Sequence, residues 1–253
     1  MKLISLNVEG SSHWPLIDPF FDLERPDVIC LQEVFEEDAV RVAGRLGMVY
    51  SFSPMMLRHY DFVDEATPLR PLGIAILSRS PLLDVRDQKY YSTVDPLSEC
   101  DATTVERRRA TVAQTLLSAE VTAGNETLRV ATTHFTWTPN GISDQYQEED
   151  AHALLRMLDD MPPVVLCGDF NMPRHVNSLY DMFASKYWDA IPASYESSID
   201  LSLHRQRGNS ESIPFLAKFM VDYLFLGKGY EAHDVRLQAN VSDHYAIVAT
   251  IGR

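Results

Sequence analysis

The stretch VVLCGDFN, residues 164–171, decides how the rest of the chain is read. Four apolar residues suited to a buried strand run directly into Gly168, then Asp169 and Asn171. Burying an unpaired polar group costs about 1–3 kcal/mol, so a core strand has no reason of its own to finish in a carboxylate and an amide. The pattern recurs in both directions. The strand-like run 2–8 reaches Asn7 and Glu9, the run 27–32 reaches Glu33, and the run 127–133 delivers His134. Asp222 opens DYLFL, and Asp243-His244 precedes the last apolar run. A single Asp-Asn or Asp-His pair is usually a turn or a helix cap. Six such positions, all attached to strands, point to a functional set rather than to six separate turns.

Alternating or β-branched runs predict strands at 2–8, 27–32, 73–78, 110–121, 127–134, 164–168, 220–226 and 245–251. Between them, 36–46 and 144–160 space apolar residues three and four apart, as amphipathic helices do. The stretches 54–71 and 194–219 lack periodicity and read as long surface loops. Many strands with few helices favour two packed sheets with helices outside over regular βαβ winding. No repeat or linker divides the 253 residues, so one domain over 1–253 is expected.

Composition is that of a globular chain, 45% hydrophobic and 23% charged. The net charge of −14, from 22 basic and 36 acidic residues, argues against a broad basic surface for duplex nucleic acid. It does not argue against a nuclease, because a bound cation reverses the local field of a carboxylate cluster. Neither a secretory leader nor a membrane span is read from the sequence, so a cytoplasmic location without membrane anchor is expected. Of three cysteines, Cys30 and Cys167 lie in apolar runs and read as structural thiols.

The polar endings suit phosphoester hydrolysis. Mg²⁺ takes hard oxygen ligands and is held by few carboxylates; Glu33 fits, with Asn7 and Asp243 able to complete the shell. Zinc spacing, a P-loop and a dinucleotide-binding glycine motif are all missing from the sequence. Hydrolysis also needs an oriented, deprotonated water and donors for the growing phosphoryl charge. His244, oriented by Asp222, and Asp169 are rival bases, while Asn171 and His134 serve water and phosphate.

In order, SLNVEG (5–10), LQEV (31–34), ATTHF (131–135), CGDFN (167–171), VDYLFL (221–226) and VSDHYAIV (241–248) resemble the motifs of the endonuclease/exonuclease/phosphatase superfamily. The resemblance implies a four-layered α/β sandwich, with two mostly antiparallel central sheets flanked by helices and one site at a sheet edge. It also implies Glu33 as principal metal ligand, with Asn7 and Asp243 beside it. Glu9 falls where many relatives carry Asp. His134, Asp169, Asn171, Asp222 and His244 match the catalytic positions, and Mg²⁺, with Mn²⁺ as substitute, matches the cofactor.

The branch is chosen by loops. The run FMVDYLFL lacks the Trp-Cys-Asp-Arg of inositol phosphatases, and Tyr223 stands where tyrosyl-DNA phosphodiesterases carry Arg. A nuclease-like phosphodiesterase acting on nucleic acid or a nucleotide conjugate, the 5′-tyrosyl-DNA type included, is the leading expectation, with no obligate protein partner evident. A phosphatase or sphingomyelinase-like enzyme for small or lipid esters, and an inactive binding module, are the alternatives. Met55, Met56 and Leu57 are apolar-insertion candidates; Trp14, Phe20, Phe21, Trp137 and Tyr195 are stacking candidates; Arg107, Arg108 and Arg109 form the basic run, read as the solvated start of a strand or as a phosphate contact. His13 and His175 follow motif loops, whereas His59, His152, His204 and His233 lack such context; all six stay outside the catalytic set.

Overall fold

Period-two alternation sends one face of each central strand toward a shared core and the other toward helices. The computed structural model describes residues 1–60, 66–92, 97–124 and 126–253. The elements run β1 (Lys2–Asn7), α1 (Trp14–Glu24), β2 (Val28–Phe35), α2 (Glu36–Leu46), β3 (Val49–His59), β4 (Leu69–Ser78), β5 (Leu82–Tyr91) and α3 (Val105–Thr111). They continue through β6 (Gln114–Ala123), β7 (Glu126–His134), α4 (Gln145–Asp159), β8 (Val165–Asp169), α5 (Leu179–Ala184), β9 (Trp188–Asp189), α6 (Ile213–Leu216), β10 (Asp222–Leu226), β11 (Glu231–Gln238) and β12 (Ala246–Gly252).

Two six-stranded sheets result, ordered β11-β12-β1-β2-β4-β3 and β5-β6-β7-β8-β10-β9. Each is antiparallel except for one central pair, β1 with β2 and β7 with β8. Leu3, Val28, Cys30, Ile74 and Ile76 face the second sheet in the main core. The alternate residues Ile4, Leu6, Ile29 and Leu31 pack under α1 and α2. On the second sheet, Leu154 and Leu158 of α4 and Phe183 of α5 join the main core. The expected sandwich of two sheets flanked by helices is the observed architecture. No helix among the described residues is long and apolar enough to cross a membrane.

Several expectations change. The helix α1, in WPLIDPFFDLE, carries Pro19 in its interior, which hides it from a periodicity reading. The expected loop 54–71 is largely the β3–β4 hairpin; its residues 61–65 lie outside the described residues. The expected strand 110–121 starts only at Gln114, because Thr104 caps α3 by accepting from Arg107 N, and the arginine run winds into that helix. The stretch 194–219 holds α6, and Ile199 bridges to His244, folding this segment back over the last motif.

Candidate active site

The two parallel pairs bring their strand ends to one edge. In β1–β2 register Asn7 lies opposite Gln32, one residue before Glu33. In β7–β8 register His134 lies opposite Asp169, which also faces Asp222 on β10. Gly168 makes the second pair possible: its φ is 143°, and a Cβ there would sit 2.0 Å from the Thr133 carbonyl oxygen. Only glycine fits such a close approach. Glu33 leaves the sheet at a bulge, where β2–β4 register shifts between Leu31 and Val34 and its φ turns to 51°. A bulge re-aims a side chain in this way. Glu9 and Asn171 are also left-handed, at 49° and 51°; such backbones cost on the order of 1–3 kcal/mol and persist where the surroundings enforce them.

Hydrogen bonds join the two edges. Asn7 Nδ2 donates to Asp169 Oδ2 at 3.0 Å and to Glu33 Oε1 at 3.3 Å, while Asn7 Oδ1 accepts from Glu9 N at 3.1 Å. Asn7 therefore lies between the carboxylates and holds them. Below it, Gln32 Nε2 donates to Thr132 Oγ1 at 2.9 Å, a buried tie between the sheets. Gln147 on α4 donates to the carbonyls of Thr136 and Asn171, fixing the chain after β7 and β8.

Asp169 is the hub. Its Oδ1 accepts from Asn171 N at 2.9 Å, and its Oδ2 lies 3.6 Å from His134 Nε2 and 3.9 Å from His244 Nε2. His244 Nδ1 meets Asp222 Oδ2 at 2.8 Å. Burial works against a charged ring here, but Asp222, Asp243 and Asp169 outweigh it and hold His244 well above its ordinary value. Burial also pulls Asp222 upward. The proton of the pair sits on the imidazole, because carboxylates approach the ring from both sides. Asn171 Nδ2 donates to the Phe135 carbonyl at 2.8 Å, which fixes the side chain beside Asp169.

The remaining carboxylates form a second group. Ligand atoms of Glu9, His13 and Asp243 lie within 4.8 Å of one another, and His13 Nε2 sits 2.9 Å from Glu9 Oε2. Asp243 is buried, and burial together with Glu9 and Glu33 pushes its carboxyl up to about 7 against His244 and His13. Burial alone would raise Glu33, yet His134, His244 and the Asn7 amide hold it below its usual value. Carboxylates crowded until one resists ionisation fit a divalent cation, which supplies the missing positive charge. Asp169, Asp222 and His244 form a further buried group of ligand-type atoms.

A sequence model of the Endonuclease/Exonuclease/phosphatase family matches residues 4–244, which is nearly the whole chain. The chain belongs to that family. It is a phosphoester hydrolase by membership, and the family is typically divalent-metal dependent. No curated protein sequence matches it. Similar solved structures include an endonuclease/exonuclease/phosphatase from Beutenbergia cavernae, at 19% identity over 99% of this chain and 71% of that one, TM-score 0.72. The human Nocturnin catalytic domain with bound sulfate is 18% identical over 100% and 93%, TM-score 0.72. The 3′ phosphatase NExo from Neisseria, bound to a product DNA hairpin, is 17% identical over 100% and 100%, TM-score 0.69. At these identities the likeness concerns the fold.

In this endonuclease/exonuclease/phosphatase domain a cleft of about 510 Å³ opens over the strand ends, lined by Glu9, Glu33, His134, Asp169, Asn171, Asp243 and His244. Asn7 and Asp222 stand behind this lining. Two histidines left aside in the sequence do belong here: His13 at Glu9, and His204, which lines the cleft. Burial and the charges of His244 and Arg205 push His204 down to about 4. The signal for His13 was its place just after the first motif loop; His204 comes from the aperiodic stretch and gave none. Of the stacking candidates, Trp137 lines the cleft, whereas Trp14, Phe20 and Phe21 lie on the buried face of α1 against the first sheet. Met55 and Met56 are buried in β3, and Arg58, Arg108 and Arg205 bring cations to the rim.

Proposed function

We propose that the protein is a Mg²⁺-dependent phosphodiesterase that cleaves nucleic acid or a nucleotide conjugate. The observation that carries this reading is the division of one cleft into a carboxylate group, Glu33, Asp243 and Glu9, and an acid–base group, His134, Asp169 and the Asp222–His244 pair. The first group offers hard oxygens without thiolate, which suits Mg²⁺. Glu33 and Asp243 would hold the ion with Glu9 beside them, and when bound it supplies Lewis-acid charge to the phosphoryl oxygens and the leaving oxygen.

The residues divide the remaining work. Asp222 at Nδ1 and the carboxylates around the ring favour the imidazolium of His244, and in this reading its Nε2–H is a charged donor to a non-bridging phosphate oxygen. Asp169, aligned by Asn7 and by Asn171 N, takes the proton of the attacking water. His134 donates to the phosphate from the Glu33 side. Asn171 borders the water position, and Asn7 keeps Glu33 and Asp169 in place. A cytoplasmic setting belongs to the same reading and is supported by free thiols at Cys30, Cys100 and Cys167.

The test is a substrate panel with Mg²⁺: single-stranded DNA, RNA, abasic duplex, 5′-tyrosyl DNA, sphingomyelin and inositol phosphates. The expected result is hydrolysis of a nucleotide substrate, lowered by several orders of magnitude in Glu33→Gln with the fold retained. Turnover restricted to the lipid or the inositol phosphates overturns the reading.

A further inference from the structure

The three consecutive arginines of α3 meet different fates. Arg107 is exposed and pairs with Asp101 at 2.8 Å. Arg109 is nearly buried; its two terminal nitrogens reach the Asp150 carboxylate at 2.8 and 3.1 Å, and its guanidinium lies over the rings of Tyr91 and Tyr146. Arg108 has no carboxylate partner among the described residues. Its guanidinium lies 5.5 Å from the centroid of Trp137, and one nitrogen touches Cys100 Sγ at 4.0 Å. Arg108 and Trp137 both line the cleft that holds Glu33 and His134.

This placement is built in. Trp137 follows His134 by three residues on the chain leaving β7, and Thr136 Oγ1 in that segment donates to the same Asp150 that grips Arg109. Asp150 thus locks α3 to the segment after β7 and sets Arg108 against Trp137. A guanidinium already held within cation–π range of a ring loses less freedom when it binds an anion. In a chain of net charge −14, a cation that lines a carboxylate-lined cleft and forms no ion pair with a carboxylate among the described residues has its natural partner in an anion that arrives. The cleaved phosphate already has His134 and His244. Arg108 stands farther out: His134 Nε2 lies 3.7 Å from Glu33 Oε1, whereas Arg108 makes no ion pair with that carboxylate.

We propose that Arg108, held on Trp137, binds a second phosphate of the substrate, adjacent to the one that is cleaved, and so sets specificity. This rests on the phosphodiesterase reading above for its reaction, though not for its binding. The second phosphate can belong to a nucleic-acid strand or to a nucleotide-sized bisphosphate; the chemistry recognised is the same.

The experiment has a binding arm and a kinetic arm. Thymidine 5′-monophosphate, thymidine 3′,5′-bisphosphate and a short oligothymidylate are titrated with Mg²⁺ into the Asp169→Asn protein and into its Arg108→Gln derivative. The 4-nitrophenyl ester of thymidine 5′-phosphate, with and without a 3′-phosphate, is offered to the otherwise native enzyme and to Arg108→Gln and Arg108→Lys. A charge-assisted contact implies a preference for the second phosphate of roughly ten- to a hundredfold. Arg108→Gln should erase that preference in both the Kd ratio and the kcat/KM ratio, and Arg108→Lys should restore part of it. Affinity that rises further with oligonucleotide length assigns the phosphate to a strand; affinity that stops at the bisphosphate assigns it to a small molecule. No preference in the parent protein, or one that survives Arg108→Gln, overturns the proposal. Preferential binding without hydrolysis of either ester would sustain the proposal and defeat the phosphodiesterase reading.

Discussion

Replacing Asp222 by Asn tests the division of labour in the site. The change keeps shape and removes one charge from a carboxylate 2.8 Å from His244 Nδ1. An opposite charge at this range is worth about one to three pH units to the group it faces. Without it, burial weighs more heavily on the ring against the residual pull of Asp243 and Asp169, and the imidazolium persists over a narrower range. Loss of one charged donor to the transition state costs about 10²- to 10³-fold in kcat. KM should change little, because the contact matters most as phosphoryl charge grows. Stability should fall by up to about 3 kcal/mol, since one partner of a buried pair is lost while relief from burying the carboxylate offsets part of that cost.

The pH profile carries the decision. If His244 donates, activity falls on the alkaline side as the ring loses its proton, and that limb moves toward acid in Asp222→Asn. If His244 were the base, activity would instead rise through the ring's pKa, and the rising limb would be the one that moves. The assay is kcat against pH for both proteins at saturating Mg²⁺, with thermal melting to confirm the fold. A shifted acid limb with an unmoved alkaline limb refutes the assignment of Asp169 as base.

Three further outcomes follow from the geometry. Arg109→Ala strands the buried Asp150 and should cost about 3–5 kcal/mol, lowering Tm by roughly 10 °C. Burial already raises the Asp150 carboxyl, and the variant raises it more; its folded state is therefore favoured below the unfolded carboxylate value of about 3.9 and loses ground as pH rises through the folded value, so melting should show the gap to the native protein widening toward neutrality. Gly168→Ala drives a methyl into the Thr133 carbonyl and should cost about 3–5 kcal/mol in denaturant titration while displacing Asp169. On the proposed reading, Mg²⁺ bound by Asp243 displaces the proton of a carboxyl pushed up to about 7, so calorimetry should find affinity rising nearly tenfold per pH unit below about 7 and levelling above it; a flat profile removes Asp243 from the metal group.

What the sequence revealed divides along a physical line. The strands expected from alternation, β1, β2, β4, β6, β7, β8, β10 and β12, are all interior to their sheets, where burial on both sides forces apolar runs. The strands it missed, β3, β5, β9 and β11, are the four sheet edges. An edge strand needs apolar residues on fewer sides and tolerates charge, as LLDVRDQKYY and EAHDVRLQ show, and it tolerates proline, as Pro54 in β3 shows. The site residues were legible for the same reason in reverse, since they break apolar strands at or beside their ends, Glu33 at the bulge of β2. His204 and Arg205 were not, because they reach the cleft on a segment placed by tertiary contacts such as the Ile199–His244 bridge.

On the reading proposed above, that contrast puts the chemistry and the selectivity in different parts of the chain. Both parallel pairs end at one edge, and the Asn7–Asp169 bond joins those edges, so the catalytic groups move only if a sheet moves. Arg108, Trp137 and Arg205 hang instead on α3, on the chain after β7 and on the stretch that ends at α6, where the Thr136–Asp150–Arg109 lock holds the first two together. Substitutions in the sheets should therefore lower turnover of every substrate alike, whereas substitutions at Arg108, Trp137 or Arg205 should alter the ranking of substrates. A ranking that stays fixed across rim variants, while sheet variants reorder it, would show that the cleft reads its substrate at the strand ends instead.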